Sequence, residues 1–126
     1  MDVKFYRCPN CGNVAIKPFD KGPAMICCGE RMADMSANST DAATEKHVPV
    51  VAVDGAAVKV EVGSVAHPMT PEHRIAFICL VTEKGYQVVE LSADDEPKAE
   101  FALAAGDAAV KVYEYCDLHG LWVTLA

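Results

Sequence analysis

From residue 47 to the end of the chain, short runs rich in apolar residues follow one another, separated by turn residues. This pattern restricts the fold more than any other feature. The runs are HVPVVAV, AVKVEV, RIAFICLV, YQVVELS, AEFALA, AVKVYEY and LWVTLA. AVKVEV alternates strictly, and a period of two is typical of strands that bury one face. The dipeptide Asp54-Gly55 before it predicts a tight hairpin between the first two runs. We therefore predict a mainly β fold, with a seven-stranded antiparallel sandwich of the immunoglobulin type.

The first quarter of the chain has a different character. It contains only short apolar stretches, is punctuated by Gly and Pro, and carries four of the six cysteines. A segment this small cannot bury enough apolar surface to fold without a metal or a partner chain. The small polar residues SANSTDAAT at 36–44 indicate a linker. We predict two domains, a Cys-rich metal domain at 1–36 and the sandwich at 37–126.

Composition limits the classes of protein that need to be considered. The chain has 126 residues, 52% of them hydrophobic and 23% charged, which is typical of a globular protein. It has no apolar run long enough to span a membrane and no pattern of an export signal, so we predict a cytoplasmic protein with no membrane partner. In that compartment cysteines stay reduced. A net charge of −7 argues against nucleic acid as a partner, because phosphate backbones require clustered Lys and Arg.

A first set of candidate metal ligands lies in the Cys-rich segment. Cys8 and Cys11 form a C-x2-C unit, and the adjacent pair Cys27-Cys28 follows fifteen residues later, before Gly29. Two such half-sites predict a tetrahedral metal with four thiolates. Neighbouring side chains point to opposite faces of an extended chain, so the backbone must bend at the pair, and Gly29 provides the freedom to do so. Zinc and iron both accept four thiolates, and a strained disulfide between the adjacent cysteines is a further alternative.

A second set consists of all four histidines of the chain and one cysteine. A single histidine is usually a surface or core group, but these lie at strand edges or in loops, which a sandwich gathers at its ends. Pro68 and Pro71 stiffen the loop HPMTPEH. Imidazole suits iron, and an axial thiolate donates electron density to it. Five ligands leave one position open, as in a redox active site. The five are His47, His67, His73, Cys116 and His119.

Both sets resemble a known family. CPNC followed by CC is similar to desulforedoxin, and EKH, HPMTPEH and the terminal C-x2-H resemble the catalytic domain of desulfoferrodoxin, the two-iron superoxide reductase. The resemblance implies two non-haem iron ions per chain. One is held by Cys8, Cys11, Cys27 and Cys28. The other has His47, His67, His73 and His119 in its equatorial plane and Cys116 as axial ligand.

The same resemblance implies an activity and partners. Ferrous iron at the second site reduces superoxide to hydrogen peroxide, which detoxifies superoxide, and rubredoxin or a similar electron donor restores the ferrous state. The implied assembly is a homodimer. A desulforedoxin-like domain at 1–36 precedes the immunoglobulin-like superoxide reductase domain at 37–126.

Glu45 and Lys46 directly precede the ligand His47 and are candidate catalytic residues. An anion that approaches a negatively charged protein needs a local cation, and a Lys about 4–6 Å away supplies about 1–4 kcal/mol of attraction at effective dielectric constants of 80 to 20. Lys46 can also hold a water that delivers protons. By resemblance, Glu45 occupies the vacant iron position after turnover. The alternative interpretation of both residues is a solvated charged pair at the end of a linker.

Other classes of function remain open on the residues alone. The chain could be an electron carrier that works through the four-thiolate iron, or a zinc-ribbon adaptor that binds another macromolecule. A superoxide dismutase is the closest enzymatic alternative. The remaining residues receive structural interpretations: Cys79 as a buried small hydrophobe, Trp122 as core, and the other charges as solvated surface.

Overall fold

A computed structural model of the chain describes residues 2–39, 47–63 and 67–126. The chain divides into two compact units, Asp2–Ser36 and Ala37–Ala126. Every regular element in the described residues is a β-strand. Within these residues, no helix is long and apolar enough to cross a membrane.

The smaller unit has five short strands in two antiparallel sheets. The first sheet has the order β2-β1-β5 and the second is a β3–β4 pair. The buried apolar side chains of this unit are few, namely Val3, Phe5, Tyr6 and Cys8. A core of this size contributes little stability. The strands are β1 (Phe5–Arg7), β2 (Val14–Ile16), β3 (Ile26–Cys27), β4 (Glu30–Arg31) and β5 (Ala33–Asp34).

The larger unit has seven described strands in two sheets. One sheet has the order β10-β7-β6 and the other the order β12-β11-β8-β9, and all neighbours are antiparallel. The predicted fold class is confirmed, and each strand overlaps one of the seven apolar-rich runs. The strands are β6 (Pro49–Asp54), β7 (Ala57–Val62), β8 (Ile75–Thr82), β9 (Tyr86–Glu90), β10 (Lys98–Ala102), β11 (Ala109–Cys116) and β12 (Gly120–Leu125).

The sandwich core follows directly from the alternation. In β7, Val58, Val60 and Val62 are buried while Lys59 and Glu61 between them are exposed. These valines pack against apolar side chains of β8 and β11 in the other sheet. Burying a side chain of this size stabilises the fold by about 1.5–3 kcal/mol relative to leaving it exposed.

The hairpin predicted at Asp54-Gly55 forms with its turn one residue further along. Asp54 pairs with Ala57, which leaves Gly55 and Ala56 as the two-residue loop. Gly55 has a φ of +59°. A positive φ at the first loop position is typical of a type II′ turn and explains the need for glycine there.

Several chain reversals meet at one end of the sandwich. Cys116, the last residue of β11, pairs with Ile75 at the start of β8 and with Gly120 at the start of β12. At the same end, Pro49 at the start of β6 pairs with Val62 at the end of β7. The strand register therefore brings the residues just before β6, residues 67–74 before β8, and the β11–β12 turn to one end.

Candidate metal centres

In the small unit, the sulfur atoms of four cysteines lie within 4.8 Å of one another: Cys8, Cys11, Cys27 and Cys28. Cys11 Sγ lies 3.6 Å from Cys27 Sγ, which in turn lies 4.0 Å from Cys28 Sγ. A tetrahedral metal with bonds of about 2.3 Å separates its sulfur ligands by about 3.8 Å. The donor set therefore fits a four-thiolate metal. The two adjacent cysteines are not joined as a disulfide.

The backbone bends where the adjacent cysteines require it. Cys28 has a φ of +52° and Gly29 a φ of +75°, so two successive residues are left-handed. Because the chain reverses here, the side chains of Cys27 and Cys28 can both face the same metal position. On the opposite half-site, the N–H of Cys11 lies 3.5 Å from Cys8 Sγ, and the N–H of Gly12 donates to the Cys8 carbonyl at 3.1 Å.

These contacts also set the protonation of the thiols. The backbone N–H of Cys11 stabilises the Cys8 thiolate and lowers the pKa of Cys8 to about 6. Cys27 donates to Cys8 and Cys11, and this raises its pKa to about 12. Four sulfurs this close disfavour simultaneous ionisation unless a cation lies among them.

In the larger unit, five ligand atoms lie within 4.8 Å of one another, contributed by His47, His67, His73, Cys116 and His119. Their four imidazole rings form a closed circuit in the order 47, 67, 73, 119, with neighbouring centroids 4.7–5.0 Å apart and planes at 65–85°. His47 Nε2 lies 3.1 Å from His119 Nδ1. Adjacent corners of a square with metal–nitrogen bonds of about 2.1 Å are about 3.0 Å apart. Four imidazoles in this circuit fit an equatorial set.

The fifth ligand atom is the sulfur of Cys116, 3.8 Å from His119 Nδ1. Cys116 is fully buried, and this burial raises the pKa of its thiol, while the N–H groups of Leu118 and His119 act in the opposite direction. His47 and His67 are also buried, whereas His119 is exposed. The ligand set is therefore buried at Cys116 and accessible to solvent at His119.

The local sequence explains how the turn presents two ligands. The pair Cys116–Gly120 closes a three-residue loop of Asp117, Leu118 and His119. Gly120 has a φ of +91°, the left-handed conformation that ends many three-residue hairpin loops. The turn therefore places a thiol and an imidazole three residues apart at one end of the sandwich.

Neighbouring groups fix the orientation of two imidazoles. His67 Nδ1 lies 2.7 Å from the Pro68 carbonyl, to which it donates, and this leaves Nε2 for a metal. The Trp122 indole stacks on the His47 ring at 4.8 Å between centroids and 13° between planes. Trp122 is core, as predicted, with 7% of its surface exposed.

One sequence interpretation is wrong. Glu114, read with the remaining charges as solvated surface, is fully buried. It lies on β11 two residues before Cys116, so both side chains face the same side of the sheet. The alternation counted back from the inward-facing ligand Cys116 would have revealed this. Cys79 is fully buried, as expected of a small hydrophobe, and burial raises its pKa to about 12.

The two candidate catalytic residues, Glu45 and Lys46, lie outside the described residues. Sequence reasoning also overlooked a pair that joins two ligand-bearing segments. Asp117 Oδ1 accepts a hydrogen bond from the Arg74 N–H at 2.9 Å. The sequence gives no signal for this contact, because its partners are 43 residues apart and meet only through the register of β8 and β11.

The fold and the two donor sets define a metal-binding β-sandwich protein that carries a separate four-cysteine unit. Residues 39–124 match the model of the Desulfoferrodoxin family. The desulfoferrodoxin of Syntrophotalea carbinolica is 42% identical over 120 residues, which cover 95% of this chain and 94% of that protein. The chain belongs to the desulfoferrodoxin family, and the resemblance found in the sequence is confirmed.

Solved structures agree with this assignment. The crystal structure of the superoxide reductase from Treponema pallidum matches with a TM-score of 0.85 and 41% identity, and covers 98% of both chains. A point mutant of the superoxide reductase (neelaredoxin) from Archaeoglobus fulgidus, in the reduced form, matches with a TM-score of 0.59 and 33% identity. That match covers 71% of this chain and 95% of the other. Both of these structural matches are named superoxide reductases.

Proposed function

We propose that this chain is a superoxide reductase whose catalytic centre is an iron ion bound by His47, His67, His73, His119 and Cys116. One observation carries the proposal: four imidazoles and one buried thiol converge at the end of a sandwich. A structural zinc site needs only four ligands, so a fifth donor favours a redox-active metal. Similarity to proteins named superoxide reductase supports the same conclusion.

The proposed reaction is a one-electron reduction. Superoxide would take up one electron and two protons to form hydrogen peroxide; bound ferrous iron would supply the electron, and a rubredoxin-type donor would replace it. The iron supplies the electron and a binding position for the substrate. As a ligand of that iron, the thiolate of Cys116 would donate electron density to it and so favour release of the electron.

The residues around the metal have separate tasks. The hydrogen bond from His67 to the Pro68 carbonyl and the stacking of Trp122 on His47 hold the imidazoles in orientation. Lys46 would attract the anion and supply hydrogen bonds or a water for proton delivery, and Glu45 would occupy the open position of the iron after turnover. The net charge of −7 makes a local cation necessary.

The proposal extends to the organisation of the protein. Residues 1–36 form a desulforedoxin-like domain whose iron is held by Cys8, Cys11, Cys27 and Cys28, and residues 37–126 form the catalytic domain. The division of the chain into Asp2–Ser36 and Ala37–Ala126 supports these boundaries. We further propose a cytoplasmic homodimer.

Product analysis tests the reaction. Iron-loaded protein is mixed with superoxide in the presence of an electron donor, and hydrogen peroxide is counted per superoxide consumed. A reductase gives a ratio near one because every superoxide becomes peroxide. A ratio near one half would contradict the proposal and indicate dismutation. Absence of superoxide consumption would instead favour a pure electron carrier.

The role of Lys46 gives a sharper prediction. Lys46→Ile is expected to lower the second-order rate constant with superoxide about tenfold, because a lysine about 4 Å from the anion contributes about 1–4 kcal/mol. Stopped-flow or pulse-radiolysis traces measure this constant, and salt should slow the unaltered protein more than the variant.

Lys59→Ile is the matched control. Lys59 lies on the exposed face of β7, and its replacement changes the net charge by the same amount. We expect its rate constant to stay close to that of the unaltered chain. An equal loss in both variants would show that total charge, and not a cation beside the iron, attracts superoxide.

A further inference from the structure

Arg74 and Asp117 close the β8–β11 ladder at the end where the ligands lie. Ile75 and Cys116 are the last residues paired in this ladder. Beyond them, the N–H of Asp117 donates to the Arg74 carbonyl at 3.1 Å, and the N–H of Arg74 donates to Asp117 Oδ1 at 2.9 Å. A side-chain oxygen thus replaces the carbonyl that a continuing strand would offer.

The guanidinium of Arg74 extends this link into the histidine loop. Its Nη1 donates to the Pro71 carbonyl at 3.1 Å and lies 3.9 Å from Asp117 Oδ2. Pro71 lies inside a tight turn in which the N–H of Thr70 donates to the His73 carbonyl at 2.9 Å. The turn that carries His73 is therefore joined through Arg74 to the turn that carries Cys116 and His119.

We propose that Arg74 and Asp117 form a positioning pair that sets the distance of His73 from Cys116 and His119. The inference rests on the proposed iron site but concerns residues that do not touch the metal. Arg74 directly follows His73, and Asp117 directly follows Cys116. Any opening of this pair separates the two ligand-bearing segments at their bases. Groups that orient metal ligands commonly change metal affinity or activity by about 10–100-fold when they are removed.

Hydrogen bonding, and not charge, does this positioning. The ion pair has a separation of 3.9 Å, with side chains 32% and 29% exposed, and exposed ion pairs contribute little. The N–H of Arg74, in contrast, has a short and well-placed acceptor in Asp117 Oδ1. An amide oxygen in the same position would accept that bond equally well.

The experiment compares Asp117→Ala with Asp117→Asn in iron-loaded, oxidised full-length protein. The long-wavelength band that arises from the thiolate–histidine iron reports ligand geometry, and its decay with excess chelator reports iron loss. We expect Asp117→Ala to shift this band and to lose iron at least about tenfold faster. Asp117→Asn, which keeps the acceptor, should stay within about threefold of the unaltered protein.

Asp107→Ala is the matched control. Asp107 accepts hydrogen bonds from the N–H groups of Lys84 and Ala108 at the opposite end of the same strand pair. Its replacement removes a comparable carboxylate contact, and we expect the band position and the iron loss to stay unchanged. If Asp117→Ala does not fold, Arg74→Leu provides the second test. This variant breaks the link from the guanidinium to Pro71 and keeps the main-chain N–H groups of residues 74 and 117. It too should shift the band.

Three results would overturn the pair as a positioning device. The first is an unchanged band and an unchanged rate of iron loss in Asp117→Ala, or in Arg74→Leu if Asp117→Ala does not fold. The second is a change in Asp107→Ala as large as that in Asp117→Ala. The third is a change in Asp117→Asn as large as that in Asp117→Ala. Failure of the proposed function would look different. The unaltered protein would then show no thiolate–histidine iron band, or would release one half peroxide per superoxide.

Discussion

The two units of the chain solve the same problem, the convergence of metal ligands, by opposite means. In the sandwich, a cluster of buried side chains from both sheets holds the strands, and the ligands occupy their ends. In the Cys-rich unit, the strands are two or three residues long and few apolar side chains are buried. The comparison indicates that the sandwich positions its ligands before a metal binds, whereas the small unit depends on its metal for folding.

Of all the tests, metal removal should produce the largest difference in stability between the two units. Because a structural four-thiolate metal contributes on the order of 10 kcal/mol to the folding of a small domain, chelation should unfold the Cys-rich unit. The sandwich should stay folded. Hydrogen exchange measures this: backbone amides of β1 and β2 should lose protection, and those of β8 and β11 should keep it.

Cys27→Ser provides an independent version of this test. The variant lacks one thiolate, so its β1 and β2 amides should exchange quickly even without chelator. Full protection of β1 in metal-free protein would contradict the contrast between the units.

A substitution in the hydrophobic core should instead destabilise the sandwich. Leu80 is fully buried in β8, opposite Val112, and belongs to the cluster between the sheets. Leu80→Ala should lower the free energy of unfolding of the sandwich by about 2–5 kcal/mol. Denaturant titration followed by Trp122 fluorescence measures the change.

The exposed residue Leu125 offers a control of the same chemistry in the same sheet. It is 79% exposed, and Leu125→Ala should change stability by less than about 0.5 kcal/mol. If Leu80→Ala and Leu125→Ala lowered the free energy of unfolding by similar amounts, the face of the sheet that carries Leu80 would not form the core.

The smallest effect concerns pH and the sandwich alone. Hydrogen bonds from the hydroxyl of Thr82 and from the N–H groups of Ala108 and Lys84 hold the pKa of Asp107 below its ordinary value of 3.8. A depressed pKa stabilises the fold above pH 3.8, and this contribution is lost as the pH falls through the folded-state value.

Asp107→Asn should therefore melt at a lower temperature than the unaltered chain at pH 7, and the difference should narrow below about pH 4. Thermal melts across this range measure it. If the difference in melting temperature between Asp107→Asn and the unaltered chain stayed constant with pH, the carboxylate charge of Asp107 would not stabilise the fold.

The strands were predictable because alternation reports burial of one face directly. The strict alternation around Val58 indicated both a strand and its buried side, whereas the continuous apolar run around Leu80 indicated a strand that is buried on both faces. The convergence of His47, His67, His73, Cys116 and His119 was also accessible, because strand ends in a sandwich meet at its ends.

Contacts that depend on register were not predictable. The link between Arg74 and Asp117 arises from the pairing of Ile75 with Cys116, which includes a bulge that the sequence does not reveal. Buried Glu114 was misread because its charge outweighed the strand alternation in the interpretation. Local patterns thus determine elements, while the pairing of distant strands determines which polar groups meet.

The central proposal is that the five-ligand centre, and not the four-cysteine centre, reacts with superoxide, and rate constants of two cysteine variants can decide this. Pulse radiolysis measures the second-order rate constant for iron-loaded full-length protein, for Cys27→Ser and for Cys116→Ser. We predict that Cys27→Ser keeps the rate constant of the unaltered chain and that Cys116→Ser loses it. A rate constant that disappears in Cys27→Ser, while the thiolate–histidine iron band persists, would contradict catalysis at the five-ligand centre.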